Sequence, residues 1–289
     1  MSRTTTGDRF LTGSRIGDYG IEQELGIEET GVVYLGRHVV LPRHAALKVM
    51  HASDAWIKSV AVQMLREACL VEALSHPGIP RIYECGVLTD KRPWTAFEYI
   101  DGDSVGSLIA ETPMAVADVV VLVRDVADIL DHIHQRGIVH RKLTAEAVIR
   151  TPTRRFPVAI RQWGHACTLD HAAKSRIEPR DDVHQLGKIA FRALTGARPA
   201  TNGTTSDRYP GAPHDVATLV DTMLSKDPPS SAEVRDRAKW LADTLELVPA
   251  LDKPRWTPPH GLNDSVPTDL EEVGSGFTIR IAGRTPTRR

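Results

Sequence analysis

The sequence predicts an α+β chain in two lobes, a small antiparallel sheet with one helix followed by a larger, mainly helical lobe. Three observations carry that prediction. From Tyr19 to Ile100 the chain is mostly short runs of β-branched and aromatic residues between turn residues, with one 3.6-periodic segment among them. After Asp103 the periodicity is almost wholly helical. The 289 residues, 41 % of them hydrophobic, suffice for one large domain or two modest ones.

The elements follow in order. Residues 1–18 are polar, with Gly7, Gly13 and Gly17, and read as a flexible arm. The runs 20–25, 32–36 and 45–50 alternate as strands, and three antiparallel strands are the simplest arrangement. Val60, Met64, Cys69, Val71 and Leu74 recur near a helical period over 56–74, and Ser75-His76-Pro77-Gly78 stops that helix. Strand signal returns at 79–85 and 94–100, and Asp101-Gly102-Asp103 marks a loop. The segment 113–135 places Val116, Val119, Val120, Val123, Val126, Leu130 and Ile133 on one stripe, with Gly137 positioned to end it. Further helices are expected at 182–195, closed by Gly196, at 214–225 and at 230–247, where Ser230 and Glu233 form a capping box. The lobes therefore divide at 19–100 and 101–248. Residues 249–289, rich in Pro, Thr and charge, read as a mobile extension that contains one strand-like run at 277–281.

Composition excludes several functions. Lys+Arg 36 against Asp+Glu 37 leaves a net charge of −1, so no basic field steers the chain to nucleic acid or an anionic membrane. The apolar run Val119 to Val123 is far too short to span a bilayer, and no apolar signal core follows Met1. Three cysteines without a C-x-x-C pair fit reduced thiols and a cytoplasmic setting. His165, Cys167, Asp170 and His171 are close enough in sequence to suggest zinc, but there is no second ligand pair, and no metal is assigned to them.

The chemistry lies in motifs that occur in a fixed order. Leu25-Gly26-Ile27-Glu28-Glu29-Thr30-Gly31-Val32-Val33 is a glycine-containing turn between strands, and Ala45-Ala46-Leu47-Lys48 follows it. Next come Arg66-Glu67-Ala68 on the helix, Phe97-Glu98-Tyr99-Ile100, the run from His140-Arg141-Lys142-Leu143 to Ile149, Gln162-Trp163-Gly164, and Asp182-Val183-His184-Gln185-Leu186-Gly187. Together, over about Tyr19 to Leu247, they resemble bacterial serine/threonine protein kinases. The resemblance implies a bilobal kinase-like fold with a nucleotide cleft between the lobes. In it Gly26 and Gly31 would cover phosphates, Lys48 would grip them and pair with Glu67, and Val33, Ala46 and Ile149 would line an adenine. Backbone groups from Glu98 to Ile100 would meet the base edge, and Val71, His140 and Trp163 would stack into a spine.

Four positions depart from the family's chemistry. Lys142 stands where the resemblance implies the aspartate that positions the substrate hydroxyl; Ala147 and Gln162 stand where it implies two magnesium ligands. Glu28 replaces the middle glycine of the loop, where its charge opposes a triphosphate. The expectation is a pseudokinase that serves as a scaffold or allosteric partner of another signalling protein, with ATP bound without magnesium as its only cofactor. The alternative is a weak or unconventional ATP-dependent serine/threonine kinase or other transferase, in which Asp103, Glu146 or Asp170 supplies the missing metal ligands.

Overall fold

The structure, a computed structural model, describes residues 9–54, 58–169, 178–199, 204–245, 270–273 and 276–279. Its first lobe is an antiparallel sheet of β1 (Arg15–Ile16), β2 (Tyr19–Ile27), β3 (Gly31–His38), β4 (His44–Met50), β5 (Ile82–Val87) and β6 (Pro93–Glu98), in the order β1-β2-β3-β4-β6-β5. The period of two in β4 sorts its side chains. Ala45, Leu47 and Val49 enter a core with Ile16, Tyr19, Tyr34 and Trp94, which leaves Ala46 and Lys48 on the opposite face. Register places Val33 opposite Lys48 and Ala46 opposite Phe97, so these four residues share that second face.

The sheet begins before the expected boundary at Tyr19. Arg15 and Ile16 pair with Gly20 and Tyr19, and Ile16 is fully buried. Burying one apolar side chain of this size stabilises by about 1.5–3 kcal/mol, enough to hold a two-residue strand that sequence pattern does not reveal. The part of the expected arm that is described, from residue 9, is thus docked through β1.

Helix α1 (Lys58–Glu72) buries Met64, Glu67, Ala68 and Val71, which recur every three or four residues along one face. The second lobe opens with β7 (Asp103–Ser104) and α2 (Val105–Glu111), a short helix that periodicity did not indicate and that Ser104 caps by accepting from the Ser107 amide. Helix α3 (Val116–His134) lies at its centre. A hairpin of β8 (Ile138–Val139) and β11 (Cys167–Thr168), and a sheet ordered β10-β9-β7 from β9 (Val148–Arg150) and β10 (Val158–Ile160), flank the loops of the cleft.

Helices α4 (Pro179–Thr195), α5 (Thr205–Arg208), α6 (His214–Met223) and α7 (Ser231–Thr244) complete the lobe. A capping box between Glu178 and Asp181 with Pro179 in the first turn starts α4 three residues before the expected Asp182, and Gly196 ends it at φ 70°. In the segment expected to be a mobile extension, β12 (Leu270–Val273) pairs with β13 (Gly276–Ile279), which covers part of the strand-like run at 277–281. One continuous core runs from Val71 and Leu74 through α3 to Trp163 and the later helices. The lobes therefore meet around shared apolar side chains.

Candidate functional site: the cleft between the lobes

The cleft forms where the second face of the sheet meets the loops after β8 and β10. Gly26, Val33, Ala46, Lys48, Glu67, Glu98 and Ile100 line it together with Leu25, Phe97, Tyr99, Arg161, Gln162 and Trp163. Two residues expected there do not take part. Ile149 is almost fully buried in β9, paired with Ser104 and Ala159, and does not line the cleft. Gly31 is needed by packing instead: a Cβ added to it would lie 2.2 Å from the Val49 carbonyl oxygen. At Gly26 the same space is open.

At the inner end of the cleft, Lys48 is 3 % exposed and meets two carboxylates. Its Nζ lies 2.7 Å from Glu67 Oε2 and 2.8 Å from Glu28 Oε2. Burial opposes the ammonium charge, but the two carboxylates outweigh it and hold the Lys48 pKa above its ordinary value. Burial, with the Glu28 charge adding to it, pushes the Glu67 carboxyl above the usual range against the pull of Lys48. Glu28 thus points inward, onto the lysine.

The neighbouring carboxylate reaches across to the second lobe beside Lys48. Glu29 Oε2 lies 2.9 Å from His165 Nε2 and 3.3 Å from Lys142 Nζ, and those two nitrogens are 3.2 Å apart. Hydrogen bonds from Lys142 and His165 hold the Glu29 carboxyl below its ordinary pKa. The turn between β2 and β3 is therefore tied at its tip to the second lobe. Sequence reasoning missed this contact, since complementary charges more than a hundred positions apart leave no spacing signal.

The remaining expected positions fall as follows. Ala147 is fully buried, and its amide lies within hydrogen-bond reach of Thr144 Oγ1 and the Thr144 carbonyl. Gln162 has a left-handed backbone, φ 66° and ψ 55°, and lines the cleft. Trp163 is buried, donates from Nε1 to the Ile160 carbonyl at 2.8 Å, and stacks edge-on against His140 at 4.8 Å, with Val71 in the same core. Gln63 fixes the following turn by donating to the Gly164 carbonyl at 2.9 Å.

Below the cleft, Asp182 holds the 140–142 loop. Its carboxylate, fully buried in the first turn of α4, accepts from the His140 and Arg141 amides at 2.8 and 2.7 Å. Gln185 continues the anchor by accepting from the Leu143 amide and donating to the Arg141 carbonyl. Arg141 is thereby kept at φ 70°. Asp182 also meets His134 Nε2 at 3.0 Å, and the other ring nitrogen sits 3.0 Å from Ser231 Oγ at the start of α7.

Neither described substitute carboxylate reaches the cleft. Asp103 is in the β7–β9 pairing, and Glu146 faces a separate groove with Lys188 and Arg192. Asp170 and His171 lie outside the described residues. Among the described residues, no group of three His, Cys, Asp or Glu side chains converges as a metal would require.

A protein kinase domain model matches residues 19–179, more than half of the chain. The chain belongs to the protein kinase domain family. It is similar to the serine/threonine-protein kinase PknJ of Mycobacterium tuberculosis, 29 % identical over 255 residues that cover 75 % of this chain and 43 % of PknJ. It is also similar to the serine/threonine-protein kinase pkn2 of Myxococcus xanthus, 25 % identical over 306 residues that cover 90 % of this chain and 37 % of that protein. The chain thus spans less than half the length of these relatives. The kinase domain of Mycobacterium tuberculosis PknI superposes with a TM-score of 0.65 at 24 % identity, covering 80 % of this chain and 99 % of that domain. The fold is that of a protein kinase.

Within this family fold the cleft has two unlike halves. Its outer half offers apolar walls and a backbone edge that fit a planar base. Its inner half, where Lys48 already holds two carboxylates, does not fit a triphosphate with magnesium, because Gln162 lines it with a neutral amide rather than an anionic ligand.

Proposed function

We propose that this protein is a catalytically silent kinase-family member, a pseudokinase that acts by binding another signalling protein as a scaffold or allosteric partner. The observation that carries this reading is the Glu28 carboxylate 2.8 Å from Lys48 Nζ, in the part of the cleft where phosphates would have to lie. Phosphoryl transfer relies on metal ions, cationic groups that neutralise developing charge, and a residue that positions the nucleophile. Here the lysine is neutralised by the protein's own carboxylates, and Lys142, Ala147 and Gln162 supply neither a base nor anionic metal ligands. Loss of the positioning base alone costs about 10²- to 10⁴-fold. The frame is kept meanwhile: Asp182 anchors the loop and His140 stacks on Trp163.

The partner in this reading is a protein, since a net charge of −1 gives no field toward nucleic acid. Among the described residues no helix is long and apolar enough to cross a membrane. A cytoplasmic setting, suggested by unpaired cysteines, belongs to the same proposal. The test is incubation of the full chain with radiolabelled ATP and Mg²⁺ or Mn²⁺, with and without a generic acceptor protein. The expected result is no incorporation above that of a heat-denatured control. Incorporation abolished by Lys48→Met would overturn the reading in favour of an ATP-dependent transferase.

A further inference from the structure

We infer that the cleft selects an uncharged nucleoside-type heterocycle over the corresponding nucleotide, because Glu28 already presents to Lys48 the anion that a phosphate would bring. The inference rests on the reading of the cleft given above and adds the class of ligand.

At the outer half, Leu25, Val33, Ala46 and Phe97 provide apolar walls. The backbone amides and carbonyls of Tyr99 and Ile100 make no backbone hydrogen bond to the described residues, which leaves donors and acceptors in line for a base edge. At the inner half, an ammonium carries three donors, and two of them are engaged in short charge-assisted contacts. Glu28 and Glu67 face Lys48 at the inner end, whereas Glu98, which lines the cleft with Arg161, is paired with Arg154 at 3.2 Å. A phosphate that reached Lys48 would have to expel Glu28 or stand beside two carboxylates. Expelling Glu28 breaks its 2.8 Å contact with Lys48 and turns a carboxylate out to water. A neutral ligand disturbs none of these contacts.

Isothermal titration of the full chain with adenosine, ADP and ATP in magnesium-free buffer tests the inference. Wild type is expected to bind adenosine at least tenfold more tightly than ATP. Glu28→Gln, which removes the charge at nearly constant volume, is expected to narrow that ratio at least tenfold. Equal or tighter binding of ATP by wild type, an unchanged ratio in Glu28→Gln, or no adenosine binding would each overturn it. These outcomes are separate from phosphotransfer: a silent protein that binds ATP as well as adenosine refutes the ligand class alone, whereas label incorporation refutes the functional reading beneath it.

Discussion

Replacing Lys48 by methionine tests the inner cleft most directly, because it keeps most of the side-chain volume and removes only the ammonium. Lys48 is 3 % and Glu67 6 % exposed, so the variant strands the Glu67 carboxylate in the protein interior. Removing one partner of such a buried pair typically costs 3–5 kcal/mol. Glu28 is partly exposed and can turn to water, so only one carboxylate counts, and the expected loss at pH 8 is about 3 kcal/mol. At 2–4 °C per kcal/mol for a chain of this size, Tm falls by about 6–12 °C.

The pH dependence has a definite sign. In wild type the Lys48 pKa is raised, so its contribution is complete below the ordinary lysine value and is lost only as pH rises through the raised one; the neutral range is unaffected. In the variant burial at Glu67, whose pKa is already raised, loses the main group that opposes it and keeps only the weaker pull of His165, so the folded state binds a proton that the unfolded chain releases. The deficit relative to wild type therefore shrinks as pH is lowered from 8 to 5. Urea unfolding followed by circular dichroism at three pH values measures it. A deficit under about 1 kcal/mol at pH 8, or one that stays constant or grows on acidification, would refute the account of Lys48 as a charge buried between two carboxylates.

Three further outcomes follow from the geometry. Asp182→Ala deprives the His140 and Arg141 amides and His134 of their acceptor, and at about 1–3 kcal/mol per stranded group it should lower stability by about 4 kcal/mol in urea, allowing for non-additivity. Gly31→Ala brings a methyl group to 2.2 Å from a backbone oxygen that cannot rotate away, so it should cost about 2 kcal/mol or more, while Gly20→Ala, with open space and no positive φ, should leave Tm nearly unchanged; equal melting temperatures would contradict the packing role of Gly31. Glu29→Gln, at an exposed site, should change stability by less than about 0.5 kcal/mol yet speed amide exchange across residues 26–31. Because Lys142 and His165 hold the Glu29 pKa down, the tie is complete above the ordinary carboxylate range and weakens as pH falls through the lowered value; that pH dependence of exchange should vanish in the variant.

Elements long enough to show a period were legible in the sequence. The stripe of valines in α3, the alternation that leaves Ala46 and Lys48 on one face of β4, and the Ser230–Glu233 box of α7 are local patterns, and the structure follows them. The two-residue β1 and seven-residue α2 were not legible, since β1 is held by burial of Ile16 and pairing with β2, and α2 by burial and the Ser104 hydroxyl, rather than by a repeat. Within the cleft, the Lys48–Glu67 contact was foreseeable because both residues sit in recognisable motifs. The direction of Glu28 was not. Its charge marked a conflict with a triphosphate, but whether a turn aims a side chain inward depends on backbone curl and on the Glu29 tie, neither of which the chain spells out locally. Ile149 is buried in β9, and the local pattern of that strand does not tell which side chain faces the cleft.

Whenever its ring is neutral, the double contact of His134 fixes a direction of proton donation through the second lobe. A carboxylate can only accept, so the nitrogen facing Asp182 carries the ring's proton, and in the neutral imidazole the other nitrogen must accept. Ser231 is then obliged to donate its hydroxyl proton to that nitrogen. Donation consequently runs one way, from the first turn of the last helix through one aromatic ring to the carboxylate that supports the loop bearing Lys142.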